Sequence, residues 1–210
     1  MLFLFDLDGT LIDSEIGILS GVRHSLASVG AEAPHDSVLR SWIGPPLRVS
    51  FAQVLGDDRD RIEAAVAAYS ERFQDVGWSE HTVYDGIPEA IAALAEAGHQ
   101  LAVVTSKTRT HAARIIPHLP FGAAFERVYA PGPDTAHSEK AEMIAAALAD
   151  FGHPKDQVFM IGDRRFDIEG AVANDVRGVG VLWGFGDQDE LEKAGAWKTL
   201  GTPSELRSLT

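Results

Sequence analysis

The stretch that decides the fold is Phe3-Leu4-Phe5-Asp6-Leu7-Asp8-Gly9-Thr10, in which an apolar run ends in two carboxylates. The run from Leu2 to Phe5 predicts a short central strand of a parallel sheet, covered on both faces. The two acids then fall at the carboxyl end of that strand, where open α/β sheets bind their ligands. Because Asp6 and Asp8 are two residues apart, an extended backbone would direct both side chains to the same side. The stretch therefore predicts a buried strand that leads into a reactive loop.

The two neighbouring carboxylates would repel each other unless a cation such as Mg²⁺ lies between them or one carboxyl keeps its proton. Gly9 allows a tight turn and a close backbone approach to a ligand, and the Thr10 hydroxyl can brace the loop. The alternative is an ordinary acidic turn, because Asp and Gly are common turn residues. The rest of the chain decides between these interpretations.

The composition is that of a globular protein with an excess of acidic residues. Of 210 residues, 45% are hydrophobic and 23% are charged, which suffices to bury a core. The net charge of -13 argues against nucleic acid or an anionic membrane as a partner. The sequence has no cysteine, so disulfides and thiolate metal sites are excluded. We find neither a leader nor a membrane segment and expect a cytoplasmic protein.

Helical patterns dominate the residues that follow the first strand. The expected helices are residues 16–29, 37–43, 47–55 and 60–73. No strand pattern interrupts them, and a simple crossover requires less chain. We therefore predict an inserted helical cap domain over residues 14–80.

From residue 81 onward, strand and helix patterns alternate. The expected strands are residues 101–104, 127–130, 158–161 and 178–182. This alternation predicts an α/β fold with a Rossmann-like parallel β-sheet flanked by helices. Residues 1–13 and 81–210 would form this core domain.

Polar residues follow three of the predicted strands at their carboxyl ends, which meet along one edge of a parallel sheet. The side chains concerned are Asp6, Asp8, Thr105, Ser106, Asp163 and Asp167. Lys107 and Lys140 could join them. Carboxylates, hydroxyls and lysines are the groups required to hold Mg²⁺ and a phosphate.

Four motifs of this kind occur in order along the chain. They are Asp6-Leu7-Asp8-Gly9-Thr10, Val103-Val104-Thr105-Ser106, Lys140 and Gly162-Asp163-Arg164-Arg165-Phe166-Asp167. With them the sequence resembles the haloacid dehalogenase superfamily, in its phosphatase branch with a helical cap inserted after the first strand. Three further features are most similar to phosphoglycolate-phosphatase-like proteins, including some described as 5′-nucleotidases. They are Gly44-Pro45-Pro46, the form of the last motif and Gly180-Val181-Leu182-Trp183-Gly184.

The resemblance implies a Mg²⁺-dependent phosphatase that acts on a small phosphate monoester. Asp6 would attack phosphorus and form an aspartyl-phosphate. Asp8 would protonate the leaving alcohol and then activate water. The Asp6 carboxylate, the Asp8 backbone carbonyl and the Asp163 carboxylate would ligate Mg²⁺.

The resemblance also implies roles for the remaining residues of the motifs. Thr105, the Ser106 amide and Gly9 would hold phosphate oxygens, and Lys140 would offset the charge on the nucleophile and the phosphate. Asp167 and Thr10 would support the ligands from outside the metal shell. In the predicted cap, Arg48 could bind a carboxylate or a second phosphate of the substrate.

Each of these roles has a structural alternative. Thr105 and Ser106 could simply start the next helix, and Asp167 could be a first-turn acid favoured by the helix dipole. Arg48 could be a plain surface arginine. Many members of the family have a proline after the motif lysine, whereas Ala141 stands there in this chain, so Lys107 competes with Lys140 as the phosphate lysine.

Three other functions stay open beside the phosphatase. A 5′-nucleotidase is the first, and a phosphomutase like β-phosphoglucomutase, which returns the phosphoryl group to a bound sugar, is the second. A non-hydrolytic phospho-acceptor signalling module is the third, although such a module lacks a large cap. The sequence predicts no oligomeric state beyond a monomer or a homodimer.

Overall fold

The computed structural model describes residues 1–132 and 139–210. The chain divides into two compact units. The first combines Met1–Asp13 with Val83–Thr210, and the second is Ser14–Thr82. None of the helices in the described ranges has both the length and the apolar character that a membrane crossing requires.

A six-stranded parallel sheet forms the centre of the first unit, and its strand order is β5-β4-β1-β6-β7-β8. Two short strands, β2 and β3, pair separately. The strands are β1 (Leu2–Phe5), β2 (Ile12–Asp13), β3 (Thr82–Val83), β4 (Gln100–Val104), β5 (Arg127–Tyr129), β6 (Val158–Gly162), β7 (Arg177–Val181) and β8 (Lys198–Leu200). The parallel sheet confirms the predicted α/β fold, with the first strand at its centre.

Helices accompany the strands of the first unit in the alternation that the sequence predicts. They are α5 (Ile87–Glu96), α6 (Arg109–Ile115), α7 (Lys140–Phe151), α8 (Arg165–Ala173) and α9 (Gln188–Lys193). Every residue of β1 is fully buried, in keeping with a strand that is covered on both faces. One core cluster packs Leu2 and Leu4 against Ile144 of α7 and Ala171 of α8. The sheet is thereby held as a rigid base for the loops at its edge.

The second unit is helical. Its helices are α1 (Glu15–Ser28), α2 (Asp36–Arg40), α3 (Leu47–Leu55) and α4 (Arg59–Asp75). Gly21 of α1 faces Tyr69 of α4 so closely that a Cβ on Gly21 would lie 2.6 Å from the tyrosine ring. Trp42 and Phe51 form an edge-to-face pair in the same interior. These contacts give the helices a core of their own.

Two elements of the carboxyl-terminal region carry weak sequence signals. Helix α9 has six residues and a largely charged sequence, and β8 is a three-residue edge strand. Neither has a clear apolar period, so neither is predicted from the pattern. Tertiary contacts stabilise both elements, because β8 pairs with β7 and Leu191 of α9 is fully buried.

Candidate active site

The sheet register brings three polar strand ends together. Phe5 of β1 is opposite Val103 of β4 on one side and Ile161 of β6 on the other. Asp6, which follows β1, continues the ladder by donating its backbone N–H to the Ile161 carbonyl at 2.9 Å. Thr105 follows β4 and Asp163 follows β6, so both lie beside Asp6 at the carboxyl edge.

Lys140 lies within this group of acids and contacts two of them. Its Nζ is 2.9 Å from Oδ1 of Asp6 and 2.8 Å from Oδ1 of Asp167. It also donates to the Val104 carbonyl at 3.1 Å. Lys140 is the first residue of α7 and is buried, so its ammonium is held in place by these oxygens.

Burial and mutual repulsion disfavour the charged forms of the acids. Burial raises the pKa of Asp6 to about 7, and Asp167 adds to the increase while Lys140 opposes it. The pKa of Asp163 is raised well above its usual range, first by burial and then by Asp167 and Asp6. Burial would lower the pKa of Lys140, but Asp167 and Asp6 together raise it. The group therefore contains more carboxyl groups than one ammonium can stabilise in the charged form.

Two donors orient the fully buried carboxylate of Asp163. The Thr10 hydroxyl donates to its Oδ1 at 3.3 Å, and the backbone N–H of Phe185 donates to its Oδ2 at 2.8 Å. Gly9 lies against the same carboxylate with a φ of 84°, and a Cβ there would be 2.2 Å from an Asp163 oxygen. A side chain at residue 9 would therefore strain the backbone and displace the acid.

Asp167 has both carboxylate oxygens engaged. Its Oδ2 accepts the backbone N–H of Arg164 at 3.1 Å and closes a capping box at the start of α8. Its Oδ1 is the contact of Lys140. Asp167 is thus a first-turn acid and at the same time a partner of Lys140, so the two interpretations of this residue are compatible.

Asp8 pairs with the other lysine. Lys107 Nζ lies 3.0 Å from Asp8 Oδ2, and both side chains are largely buried. Among the described residues, Asp8 Oδ1 is buried with no hydrogen-bond partner. Asp6 and Asp8 therefore contact different lysines.

Thr105 and Ser106 lie outside the helix that follows them. Helix α6 begins at Arg109, and Thr108 is its N-cap, with its hydroxyl accepting the His111 N–H at 3.4 Å. Thr105 is buried, and its Oγ1 accepts the Lys107 N–H at 3.1 Å. The two residues form a separate turn between β4 and α6.

Three residues at the site were not predicted from the sequence. Phe185 contributes a backbone N–H to Asp163, and the Trp183 indole donates to the Thr10 carbonyl at 3.0 Å. Glu190 accepts Arg164 Nε at 2.9 Å and the Arg165 N–H at 2.8 Å. The available signal is an aromatic and glycine-rich segment, Trp183-Gly184-Phe185-Gly186, which follows β7 at the same sheet edge.

Arg48 lies in the second unit, at the start of α3. Its Nε and one terminal nitrogen bind Glu63 at 2.6 and 2.8 Å. The Glu63 hydrogen bond raises the pKa of Arg48 further. The guanidinium is thus already arranged as a fork for a carboxylate.

Comparison with known proteins places the chain in a family. The sequence profile described as "Haloacid dehalogenase-like hydrolase" matches residues 3–181, which include every residue of the site described above except Phe185, Trp183 and Glu190. The chain belongs to the haloacid dehalogenase-like hydrolase family. It is therefore a hydrolase, in agreement with the motifs.

The named proteins that this chain is similar to differ in the activity that their names state. A "5'-nucleotidase" of Pseudomonas aeruginosa is 43% identical over 188 residues, which is 90% of this chain and 85% of that protein. The "Tyrosine-protein kinase PtkA" of Mycobacterium tuberculosis is 37% identical over 193 residues, 91% of this chain and 65% of that protein. A "Phosphoglycolate phosphatase" of Pseudomonas fluorescens is 29% identical and matches 88% of this chain and 70% of that protein.

A solved structure extends the likeness to the fold. A "predicted phosphatase from Clostridium acetobutylicum" superposes with a TM-score of 0.91 at 34% identity and covers 99% of this chain and 96% of that chain. The haloacid dehalogenase-like fold is thus shared over nearly the full described length.

The acids of this haloacid dehalogenase-like site fit a divalent cation. One carboxylate oxygen each of Asp6, Asp163 and Asp167 lies within 4.8 Å of the others. Each Asp163 oxygen accepts one hydrogen bond from a neutral donor and can offer its second lone pair to a cation, whereas Asp167 is tied to the Lys140 ammonium and to the start of α8. A hard cation with oxygen ligands would offset the excess negative charge.

The pKa of Asp6 leads to a prediction about stability in the presence of EDTA. In the folded protein this acid stays protonated up to about pH 7, whereas in the unfolded chain it ionises near 3.8. The folded state therefore loses stability as the pH rises through this interval. Asp6→Asn, which is neutral throughout, should have a midpoint of thermal unfolding close to that of the wild type at pH 5. At pH 8 its midpoint should be higher by several degrees.

The control for this prediction is Asp189→Asn, because Asp189 is exposed in α9 and pairs with its equally exposed helix neighbour Lys193. Unfolding of all three proteins is followed by circular dichroism from pH 5 to pH 8. Equal midpoints of Asp6→Asn and the wild type at pH 8 would show that burial does not penalise the Asp6 anion.

Proposed function

We propose that this chain hydrolyses a small phosphate monoester in a Mg²⁺-dependent reaction that passes through an aspartyl-phosphate on Asp6. The observation that carries the proposal is the setting of Asp6. It is a buried carboxylate at the end of the central strand, in contact with the Lys140 ammonium and within reach of Asp163. Phosphoryl transfer requires little from a protein beyond positioning and charge stabilisation, and this arrangement offers both.

In the first step, an Asp6 carboxylate oxygen attacks phosphorus as the bond from phosphorus to the alcohol oxygen breaks. Asp8 gives its proton to the departing alkoxide. In the second step, Asp8 takes a proton from water as the water oxygen binds phosphorus. The bond between phosphorus and Asp6 breaks as this bond forms, which releases inorganic phosphate and restores the Asp6 carboxylate and the protonated Asp8.

Mg²⁺, when bound by the Asp6 and Asp163 carboxylates and the Asp8 carbonyl, would withdraw charge from the phosphoryl oxygens. Asp167 would hold Lys140, and Thr10 would hold Asp163, as their contacts suggest. In this proposal Asp6 and Asp163 ligate the cation, whereas Asp167 orients Lys140.

The phosphate would be held by groups at the carboxyl ends of β1 and β4. Lys140 is the preferred phosphate lysine, because it contacts the proposed nucleophile Asp6 directly. Thr105 and the Ser106 amide would complete the cradle from the turn before α6, together with the Gly9 backbone.

Lys107 would act on the other acid of the pair. Its ammonium contacts Asp8 and would hold this side chain in place for its two proton transfers. Lys140 would thus act on Asp6 and the phosphate, and Lys107 would act on Asp8.

The substrate is proposed as a small phosphorylated carboxylic acid such as phosphoglycolate, with Arg48 binding its carboxylate. Glu63 occupies the Arg48 fork in the geometry that such a carboxylate would use, so the substrate would have to take the place of Glu63. A nucleoside 5′-monophosphate is the second candidate, and the 43% identity to a 5′-nucleotidase supports it. A cytoplasmic location and a monomeric or homodimeric state remain predictions.

The first prediction from this proposal concerns phosphate release. The panel contains phosphoglycolate, nucleoside 5′-monophosphates, sugar phosphates and pyrophosphate, each with Mg²⁺ and with EDTA. We expect Mg²⁺-dependent release with one preferred substrate, loss of release with EDTA and in Asp6→Asn, and wild-type release in the surface variant Asp189→Asn.

Release that persists in Asp6→Asn would exclude Asp6 as the nucleophile. A sugar phosphate that is isomerised without release of phosphate would identify a phosphomutase. A protein that becomes phosphorylated and releases nothing would identify a phospho-acceptor module.

The second prediction concerns Arg48. Arg48→Ala should raise KM for phosphoglycolate several-fold, with little change for p-nitrophenyl phosphate, which has no carboxylate. The matched control is Arg59→Ala, which removes an exposed arginine of the same unit. Equal changes in KM for both substrates would remove Arg48 from substrate recognition.

A further inference from the structure

The loop after β7 contacts two acid-bearing segments although it contains none of the proposed ligands. We call residues 183–186 the clamp loop. Trp183 Nε1 donates to the backbone carbonyl of Thr10 at 3.0 Å. Two residues later, the Phe185 N–H donates to Oδ2 of Asp163 at 2.8 Å. The Thr10 hydroxyl in turn donates to Oδ1 of Asp163 at 3.3 Å.

The glycines of the clamp loop show how tightly it lies on its neighbours. A Cβ on Gly184 would be 2.2 Å from the Gly9 carbonyl oxygen and 2.4 Å from Cβ of Asp163. A Cβ on Gly186 would be 1.9 Å from the Asp163 carbonyl oxygen. The loop backbone thus packs directly against the backbone of both segments, where no side chain would fit.

Both oxygens of Asp163 are oriented from the clamp loop, one directly and one through Thr10. Phe185 acts through its backbone, so no side chain is needed there for the hydrogen bond. The second route depends on Trp183. Its indole N–H binds the Thr10 carbonyl and so fixes the residue whose hydroxyl donates to Asp163. Asp163 is fully buried, so its carboxylate has no water shell to set its orientation.

We infer that Trp183 is a positioning residue for the divalent-cation site and acts on Asp163 through Thr10. The inference rests on the proposed function, in which Asp163 ligates Mg²⁺. Trp183 itself supplies neither a ligand nor a proton. It holds the Thr10 backbone so that the Asp163 carboxylate is presented for ligation before the cation arrives. Hydrogen-bond partners of metal ligands commonly change metal affinity by about 10 to 100-fold when they are removed.

The test is Mg²⁺ binding to the full chain without substrate, measured by isothermal titration calorimetry. Trp183→Phe keeps an aromatic ring but removes the N–H donor together with part of the ring, a loss of ring volume that the control below shares. We expect its Kd for Mg²⁺ to be roughly tenfold higher than that of the wild type. In turnover, the half-saturating Mg²⁺ concentration should rise by a similar factor, while kcat at saturating Mg²⁺ is largely retained.

The matched control is Trp197→Phe. Trp197 is half exposed, and it packs on Phe159 and Arg177 where β7 begins, at the opposite edge of the sheet. Its Kd for Mg²⁺ should equal that of the wild type. A second comparison uses Thr10→Val, which removes the hydroxyl that binds Asp163. If Trp183 acts through Thr10, the double variant should bind Mg²⁺ no more weakly than Thr10→Val alone.

Several results would overturn the inference. An unchanged Kd in Trp183→Phe would do so, even if its thermal midpoint falls, because that pattern belongs to a purely structural tryptophan. Fully additive effects of the two substitutions would exclude the route through Thr10. If the wild type itself binds no Mg²⁺, the metal assignment in the proposed function fails, and this inference fails with it.

Discussion

The arrangement of side chains at the carboxyl edge of the sheet depends on one buried lysine, which forms ion pairs with more than one buried acid. In the part of the chain that the structure describes, Lys140 forms ion pairs with Asp6 and Asp167, and Asp163 lies close to both acids. Burial makes each uncompensated charge costly, as the raised pKa of Asp6 shows. The protein keeps this arrangement because the rigid, apolar strands beneath it hold the acids in position. A divalent cation bound by these acids would offset part of their charge.

The surrounding loops keep those acids oriented. Asp163 accepts from Thr10 and Phe185, Asp167 is fixed by the Arg164 amide, and Glu190 holds the segment between them. Such preorganisation matters in phosphoryl transfer, because the protein contributes positioning more than covalent chemistry. The haloacid dehalogenase-like family motifs account for the acids themselves. The carboxyl-terminal loop accounts for much of their orientation.

The sequence predicts the sheet and the acids well because both leave local signals. An apolar run followed by Asp-x-Asp-Gly marks the end of β1 without reference to the rest of the chain. The partners of these acids could not be predicted in the same way. Which lysine contacts Asp6 depends on how α7 docks, and the donors to Asp163 include a backbone N–H of Phe185, which any residue could supply. Edge strand β8 and helix α9 lack an apolar period, since tertiary contacts rather than propensity define them.

In the proposed reaction, Asp6 carries the phosphoryl group during turnover. The most direct measurement is acid quenching of the enzyme during turnover with Mg²⁺ and its preferred substrate, followed by borohydride reduction and peptide mass spectrometry. Reduction converts an aspartyl-phosphate to homoserine, so the account predicts that this change occurs at Asp6 and nowhere else among the acids of the site. Conversion at another acid, or turnover with no modified residue, would contradict it.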